Sequence, residues 1–352
     1  MGNWLLSRPS PAETKADLEG TAVWFKGPRE IELRTEPIGS VGPGDVVVRT
    51  LASAISHGTE MLVYRGQVDP QLALDLPTLR GSYGFPIKYG YASVGSVSDC
   101  GHAVTAVRAG DLVFVHHPHQ SMYVVPEDSI QRLAAAADPE TATLLANVET
   151  AITIVLDSGA RPEDSVIVFG QGVVGLLVTQ MLRRNGVKRI IAVDPVQKRR
   201  ELARSLGADL VVEPATQLCE QVQAATEGVG ANLAIEVSGN PAALNLAIDA
   251  LRFQGRLVAA SWYGTKPVSL HLGGAFHRNR LRIISSQVSR MDPALAPEWT
   301  PQRRRQVALD MLEQLTLAPL ITHRFAMGDA ASAYRLIDEH PDQVVQVLFT
   351  YV

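Results

Sequence analysis

Apolar residues are spaced by one rule up to about residue 138 and by another beyond it. In the first stretch they come as short runs, Val46 to Arg49, Val94 to Val97 and Asp111 to Val115, separated by turns such as Gly42-Pro43-Gly44-Asp45. Such runs between turn formers predict strands and an all-β, barrel-like unit. At Asp138 the pattern lengthens. Pro139 to Leu156, rich in Ala, Leu, Ile and Thr, predicts a helix with Asp138 as N-cap and Pro139 at its first position. Strands and helices then alternate. Ser165 to Phe169, Arg189 to Val193, Asn232 to Val237, Gly255 to Ala260 and Leu281 to Ser285 read as strands, with helices over Val173 to Arg184 and Val196 to Leu206. That alternation predicts a parallel sheet covered by helices. Val344 to Phe349 reads as a last strand.

The strand at Val166 to Phe169 runs directly into Gly170-Gln171-Gly172-Val173-Val174-Gly175, and a helix follows. A G-x-G-x-x-G motif in this setting predicts a dinucleotide site. Gly170 allows the tight turn, Gly172 lets backbone approach a pyrophosphate, and Gly175 lets helix and strand pack closely. The amides of Val173 and Val174, in the first helical turn, face the phosphates. The next strand ends at Asp194, nineteen residues after Gly175, where a carboxylate can accept both ribose hydroxyls of NAD(H) and repel the 2′-phosphate of NADP(H). Lys198, Arg199 and Arg200 lie one turn later, where a basic side chain such as Lys198 could hold that phosphate, while Arg199 and Arg200 read as a solvated helix face. Ser238, beyond a strand end, is expected to line the cofactor channel.

Composition narrows the alternatives. A chain of 352 residues is long enough for two domains, and 46% hydrophobic with 19% charged residues predicts packed globular structure. A net charge of −4 leaves no basic footprint for nucleic acid or an anionic membrane. Two cysteines, Cys100 and Cys219, build neither a disulfide framework nor a zinc knuckle. No apolar run is long enough to span a membrane, and the short apolar stretch Trp4-Leu5-Leu6 lacks the flanks of a secretory signal, so a cytoplasmic protein is expected.

The order of these motifs resembles the medium-chain dehydrogenase/reductase superfamily, the zinc-type alcohol dehydrogenase-like proteins. The resemblance is carried by Gly42 to Val48, Gly58-Thr59-Glu60, Phe85 to Gly95, Ala109 to Val113 and Phe325 to Tyr334. It implies an α/β protein with a GroES-like β-rich catalytic domain over residues 1–148 and a Rossmann NAD(H)-binding domain, doubly wound about a parallel sheet, over 149–288. A return segment, 289–352, completes the catalytic domain. A cleft between the domains and a homodimer or homotetramer are also implied. Ile55 to Glu60 and Pro118-His119-Gln120 are most similar to the bacteriochlorophyllide hydroxyethyl dehydrogenase-like branch, which suggests interconversion of a secondary alcohol and a ketone.

The departures concern zinc. Where that family places its metal ligands, the resemblance aligns His57, Tyr91 and Ala146, and the four-cysteine structural-zinc lobe is missing. Catalytic zinc needs about three protein ligands, so a zinc-free site is expected. Proton transfer then falls to side chains. Tyr91 is the candidate acid/base, with Lys88 as the cation that would lower its pKa; His57 is a second proton carrier and Thr59 a hydroxyl relay. His116, His119 and Glu60 are candidate substrate contacts, and Thr150 is expected near the nicotinamide. Two other functions stay open: an NADPH-dependent enone or quinone reductase, and a non-catalytic dinucleotide-binding protein.

Overall fold

The computed structural model describes residues 18–74, 78–215 and 217–351. The reading of Trp4 to Leu6 lies outside them.

The second half builds around six parallel strands. Their spatial order is Leu210–Val212, Arg189–Val193, Ser165–Phe169, Ala231–Glu236, Leu251–Ala259 and Arg282–Ser285, which in chain order is 3-2-1-4-5-6. This is the doubly wound arrangement, whose order reverses beside the first strand and opens a crevice at the strands' carboxyl ends. Register aligns those ends: Phe169 lies opposite Val193 on one side and Glu236 on the other, and Glu236 lies opposite Ala259. The central strands, Arg189–Val193, Ser165–Phe169 and Ala231–Glu236, are nearly continuous apolar runs because helices bury both of their faces.

The first half is antiparallel. Asp45–Ala54 is the central strand, paired with Ser93–Cys100 and Met122–Pro126, and Leu112–Val115 with Ile130–Arg132 extend the sheet. The end of the chain returns to it. Gln346–Thr350 pairs antiparallel with Asp45–Ala54 and parallel with Ile321–Ala326. A second sheet joins Glu30–Pro37, Glu19–Gly27 and Ile87–Lys88. The expected α/β fold, a β-rich domain beside a Rossmann sheet, is the observed one.

The helix expected from Pro139 to Leu156 is two helices, Pro139–Ala142 and Leu145–Ser158. Asp138 does cap the first, its carboxylate accepting from the amides of Glu140 and Thr141 at 3.3 Å. The second packs on Val173–Arg184 and on Pro301–Gln314, so one apolar cluster runs from the antiparallel sheet (Ala92, Val94, Phe114) through this helix to the Rossmann core (Val166, Val168, Leu176). No helix among the described residues is long and apolar enough to cross a membrane.

Candidate active site

The glycine turn is built as its spacing requires. Gly170 has φ +93°, a left-handed conformation that favours glycine, and a Cβ there would lie 2.7 Å from the Ser238 backbone. A methyl on Gly175 would overlap the Gly170 carbonyl oxygen, whereas nothing lies within 4 Å of a Cβ on Gly172. The crowded glycines hold helix against strand, and the open one leaves room for a ligand. The helix Val173–Arg184 starts at Gly172 with no side chain capping it. The first-turn amides of Val173 and Val174 are thus a ready anion site. Gln171 braces the turn from inside, its side chain donating to the Val168 carbonyl at 3.0 Å and accepting from Thr179 at 3.2 Å.

Asp194 is buried beside the turn. Its Oδ2 accepts from the Gln171 amide at 2.7 Å and its Oδ1 from the Val196 amide at 2.8 Å. The basic residues after it differ from expectation. Lys198 is exposed, while Arg199 and Arg200 are held inward. Arg200 donates to the carbonyls of Asp194 and Pro195 at 2.7 and 2.9 Å. Arg199 approaches Asp194 Oδ2 to 3.8 Å and bonds the carbonyls of Pro341 and Val344, so it ties the nucleotide domain to the return segment. Arg199, not Lys198, is therefore the cation beside Asp194. Helix phase decides it, since Arg199 lies on the inward side and Lys198 on the solvent side.

Ser238 lies across the turn from Gly170, in a loop organised by a residue that sequence reasoning missed. Glu236 is fully buried at its strand's carboxyl end. Its Oε1 accepts from the amides of Ser238 and Gly239 and from Ser238 Oγ at 2.6–3.0 Å, and its Oε2 from the Tyr263 hydroxyl at 2.5 Å. A carboxylate within an apolar strand was the available signal.

On the catalytic side, the Tyr91 hydroxyl donates to Ser56 Oγ at 2.6 Å. Burial pushes this phenol up to about 12, against the opposing pull of the Ser56 and Thr59 hydroxyls beside it. Lys88 does not lower it. Its ammonium pairs with Glu36, bonds Gln120 at 3.2 Å and lies over the Trp24 ring, because it belongs to the short strand Ile87–Lys88 at the edge of the other sheet.

His57 is also placed differently from expectation. The partner of Tyr91 is Ser56, which the Thr59 amide fixes by donating to its Oγ at 3.3 Å as the helix Thr59–Tyr64 begins. His57 lies within the electrostatic reach of Arg199, His323 and Arg65. Burial and those charges bring its imidazole down to about 3, and its Nε2 is buried with no partner among the described residues.

Glu60 and His119 do come together, but inside the domain and not at a substrate surface. Both are fully buried, with His119 Nε2 at 2.9 Å from Glu60 Oε2. Glu60 also accepts from the Ser56 amide at 2.8 Å and the Tyr334 hydroxyl at 2.7 Å, while His119 Nδ1 meets Ser53 Oγ at 2.6 Å. The expected substrate contact gives way to a structural one because the chain after Pro118 re-enters the core.

His116 lies nearer the expected region. Its Nδ1 bonds the Tyr91 carbonyl at 3.0 Å, and its Nε2 is 3.6 Å from the carboxylate of Glu149, which Arg304 and Arg305 also approach. Alternation sends His117 elsewhere, stacked on Tyr123 at 3.7 Å. Thr150 is half-buried on the helix between the domains, its hydroxyl turned back to the Ala146 carbonyl at 2.9 Å.

These side chains do not fit zinc. The positions aligned with metal ligands hold an imidazole, a phenol bonded to serine and an alanine. Among the described residues no group of three or more His, Cys, Asp or Glu could hold a metal ion.

Comparison with known proteins agrees with this architecture. The family model described as "Zinc-binding dehydrogenase" matches residues 173–302, a span that contains none of positions 57, 91 and 146. D-guloside 3-dehydrogenase of Escherichia coli is 25% identical, with 87% of this chain and 93% of that protein covered. The 2-desacetyl-2-hydroxyethyl bacteriochlorophyllide A dehydrogenase of Cereibacter sphaeroides is 29% identical, with 93% and 97% covered. The structure of 2R,3R-butanediol dehydrogenase from Bacillus subtilis superposes with a TM-score of 0.77 at 21% identity, over 94% of this chain and 99% of that one. With its Rossmann crevice and antiparallel partner domain, the chain is similar over most of its length to medium-chain dehydrogenases and is an oxidoreductase of the alcohol dehydrogenase type.

Proposed function

We propose that this protein interconverts a secondary alcohol and a ketone by direct hydride transfer with NAD(H), and that no zinc takes part in the proton step. The observation that carries the reading is Tyr91, aligned with a metal ligand of the resembling enzymes, bonded to the Ser56 hydroxyl with Thr59 beside it. The dinucleotide supplies the hydride acceptor or donor when bound. The amides of Val173 and Val174 would hold its pyrophosphate and Asp194 its adenosine ribose, with Ser238 and Thr150 along the channel. Tyr91 would exchange a proton with the substrate oxygen, and Ser56 and Thr59 would hand that proton on. His116 would steady Tyr91 through its backbone carbonyl. The relatives support the reaction class, since each is named as a dehydrogenase of an alcohol.

One observation favours a second reading of the coenzyme. Arg199, 3.8 Å from Asp194, could accept a 2′-phosphate. Faster turnover with NADPH than with NADH would move the assignment toward the enone or quinone reductases.

The test is Tyr91→Phe in a screen of secondary alcohols and their ketones, with the metal content of the purified protein measured first. A fall in kcat of about a hundredfold or more, with NADH affinity unchanged, is expected. Wild-type turnover in the variant, or one transition metal per chain required for activity, overturns the proposal.

A further inference from the structure

The Rossmann sheet has a second concavity at its other end. It sits at the amino ends of the strands, opposite the edge that carries the glycine turn, and encloses about 420 Å³. Five cationic side chains line it: Arg161, Lys188, Arg189, Arg252 and Arg256. Three acids share the wall, Glu163, Asp164 and Glu227, so the local balance is +2 on a chain whose net charge is −4.

Cations at this edge have an ordinary explanation, because helices end here and their carbonyl termini attract positive charge. Arg256 fits that explanation. It donates to the Gly159 carbonyl at 3.3 Å, just past the helix Leu145–Ser158, and pairs with Asp164 at 3.5 Å. The others do not. Among the described residues the side chains of Arg161, Lys188, Arg189 and Arg252 make no ion pair and no hydrogen bond, to a helix carbonyl or anything else. Arg256 Nε is itself buried without a partner. Four unpaired cations face the two remaining carboxylates, Glu163 and Glu227, so the hollow keeps an excess of two positive charges, and their mutual repulsion is relieved when an anion fills it. Two non-glycine residues of the wall lie in the left-handed region, Glu227 at φ +57° and Gln254, within the strand Leu251–Ala259, at φ +58°. Strain of that kind collects where a surface is shaped for a ligand.

From this arrangement we infer that the concavity binds a compact oligophosphate, free or carried by a small molecule. The volume falls in the range of small-ligand sites. Four of the five cations are arginines, whose planar donor forks match phosphate oxygens two at a time.

The experiment is calorimetric titration of tripolyphosphate into the protein at low salt, with and without NADH. One equivalent should bind with the same affinity in both, and more weakly as salt rises. The double variant R161A/R252A should bind about tenfold more weakly or worse, with unfolding temperature and NADH affinity kept as evidence that it folds. Binding abolished by NADH would place the phosphate at the glycine turn and overturn the inference, as would unchanged binding in the variant. Citrate, run in parallel, should bind more weakly; tighter binding of citrate overturns the phosphate assignment.

Discussion

Replacing Glu60 with alanine separates a structural role from a substrate contact. In the folded protein this carboxylate is fully buried and serves three donors: the Ser56 amide at 2.8 Å, the Tyr334 hydroxyl at 2.7 Å and His119 Nε2 at 2.9 Å. The chain continues through His119 Nδ1 to Ser53 Oγ at 2.6 Å and on to the Tyr351 hydroxyl at 2.7 Å. Every polar atom in that line has a neighbour, which is what makes a buried network favourable. Alanine leaves an imidazole, a phenol and an amide facing a void. Each orphaned group costs about 1–3 kcal/mol. The losses overlap, and removal of one partner from a buried pair is typically about 3–5 kcal/mol, so we expect about 4 kcal/mol. Urea unfolding at neutral pH, followed by far-UV circular dichroism, reads this as a lowered midpoint. Glu60→Gln, which keeps an acceptor, should lose about half as much. Destabilisation below about 1 kcal/mol together with a raised KM would refute the reasoning and return Glu60 to the substrate site.

Two further outcomes follow from single positions. Gly175→Ala forces a methyl into the Gly170 carbonyl, so the turn must shift; NADH affinity, read by fluorescence titration, should fall at least about tenfold, with about 1–3 kcal/mol of stability lost, and a wild-type Kd would contradict the crowding argument. Burial holds the His117 imidazole down at about 3, against 6.5 in an unfolded chain. Between those values only the unfolded chain takes up the proton, so stability is lost as pH falls through this window, by about 1.4 kcal/mol per unit. His117→Phe, which keeps the stack on Tyr123, should flatten the urea-midpoint slope between about pH 6 and pH 4; equal slopes would show that the imidazole does not contribute.

The parts of the molecule that sequence made legible are those where backbone geometry dictates residue type. Gly170 and Gly175 read correctly as a turn because each answers a separate steric demand, and Asp138 read correctly as a cap because its side chain serves its own neighbours. What failed was side-chain direction at non-repetitive positions. His57 and Ser56 are adjacent, and only the start of the helix at Thr59 decides which of them faces Tyr91. Glu60 finds partners 59 and 274 residues away, in His119 and Tyr334, and Lys88 one 52 residues away, in Glu36, and spacing along the chain carries no trace of such pairings. Glu236 was overlooked for a related reason. A carboxylate ending an apolar strand looks like a solvent-facing terminus until the loop folds its amides back onto it.

The raised phenol makes the proposed chemistry asymmetric in pH. A metal makes a bound alcohol acidic, whereas a hydroxyl pushed up to about 12 holds its proton across the neutral range. In ketone reduction that proton is the one required, and the donor is fully present, so kcat/KM should be flat from about pH 6 to pH 10. Alcohol oxidation by the same path starts from the phenolate, whose population rises tenfold per pH unit below the pKa. The oxidation profile should therefore climb about tenfold per unit with no plateau before about pH 10, measured with saturating coenzyme and the alcohol well below its KM. A plateau near neutrality would assign the proton to a group that titrates there, and the phenol would then serve only to fill the pocket opposite Ser56.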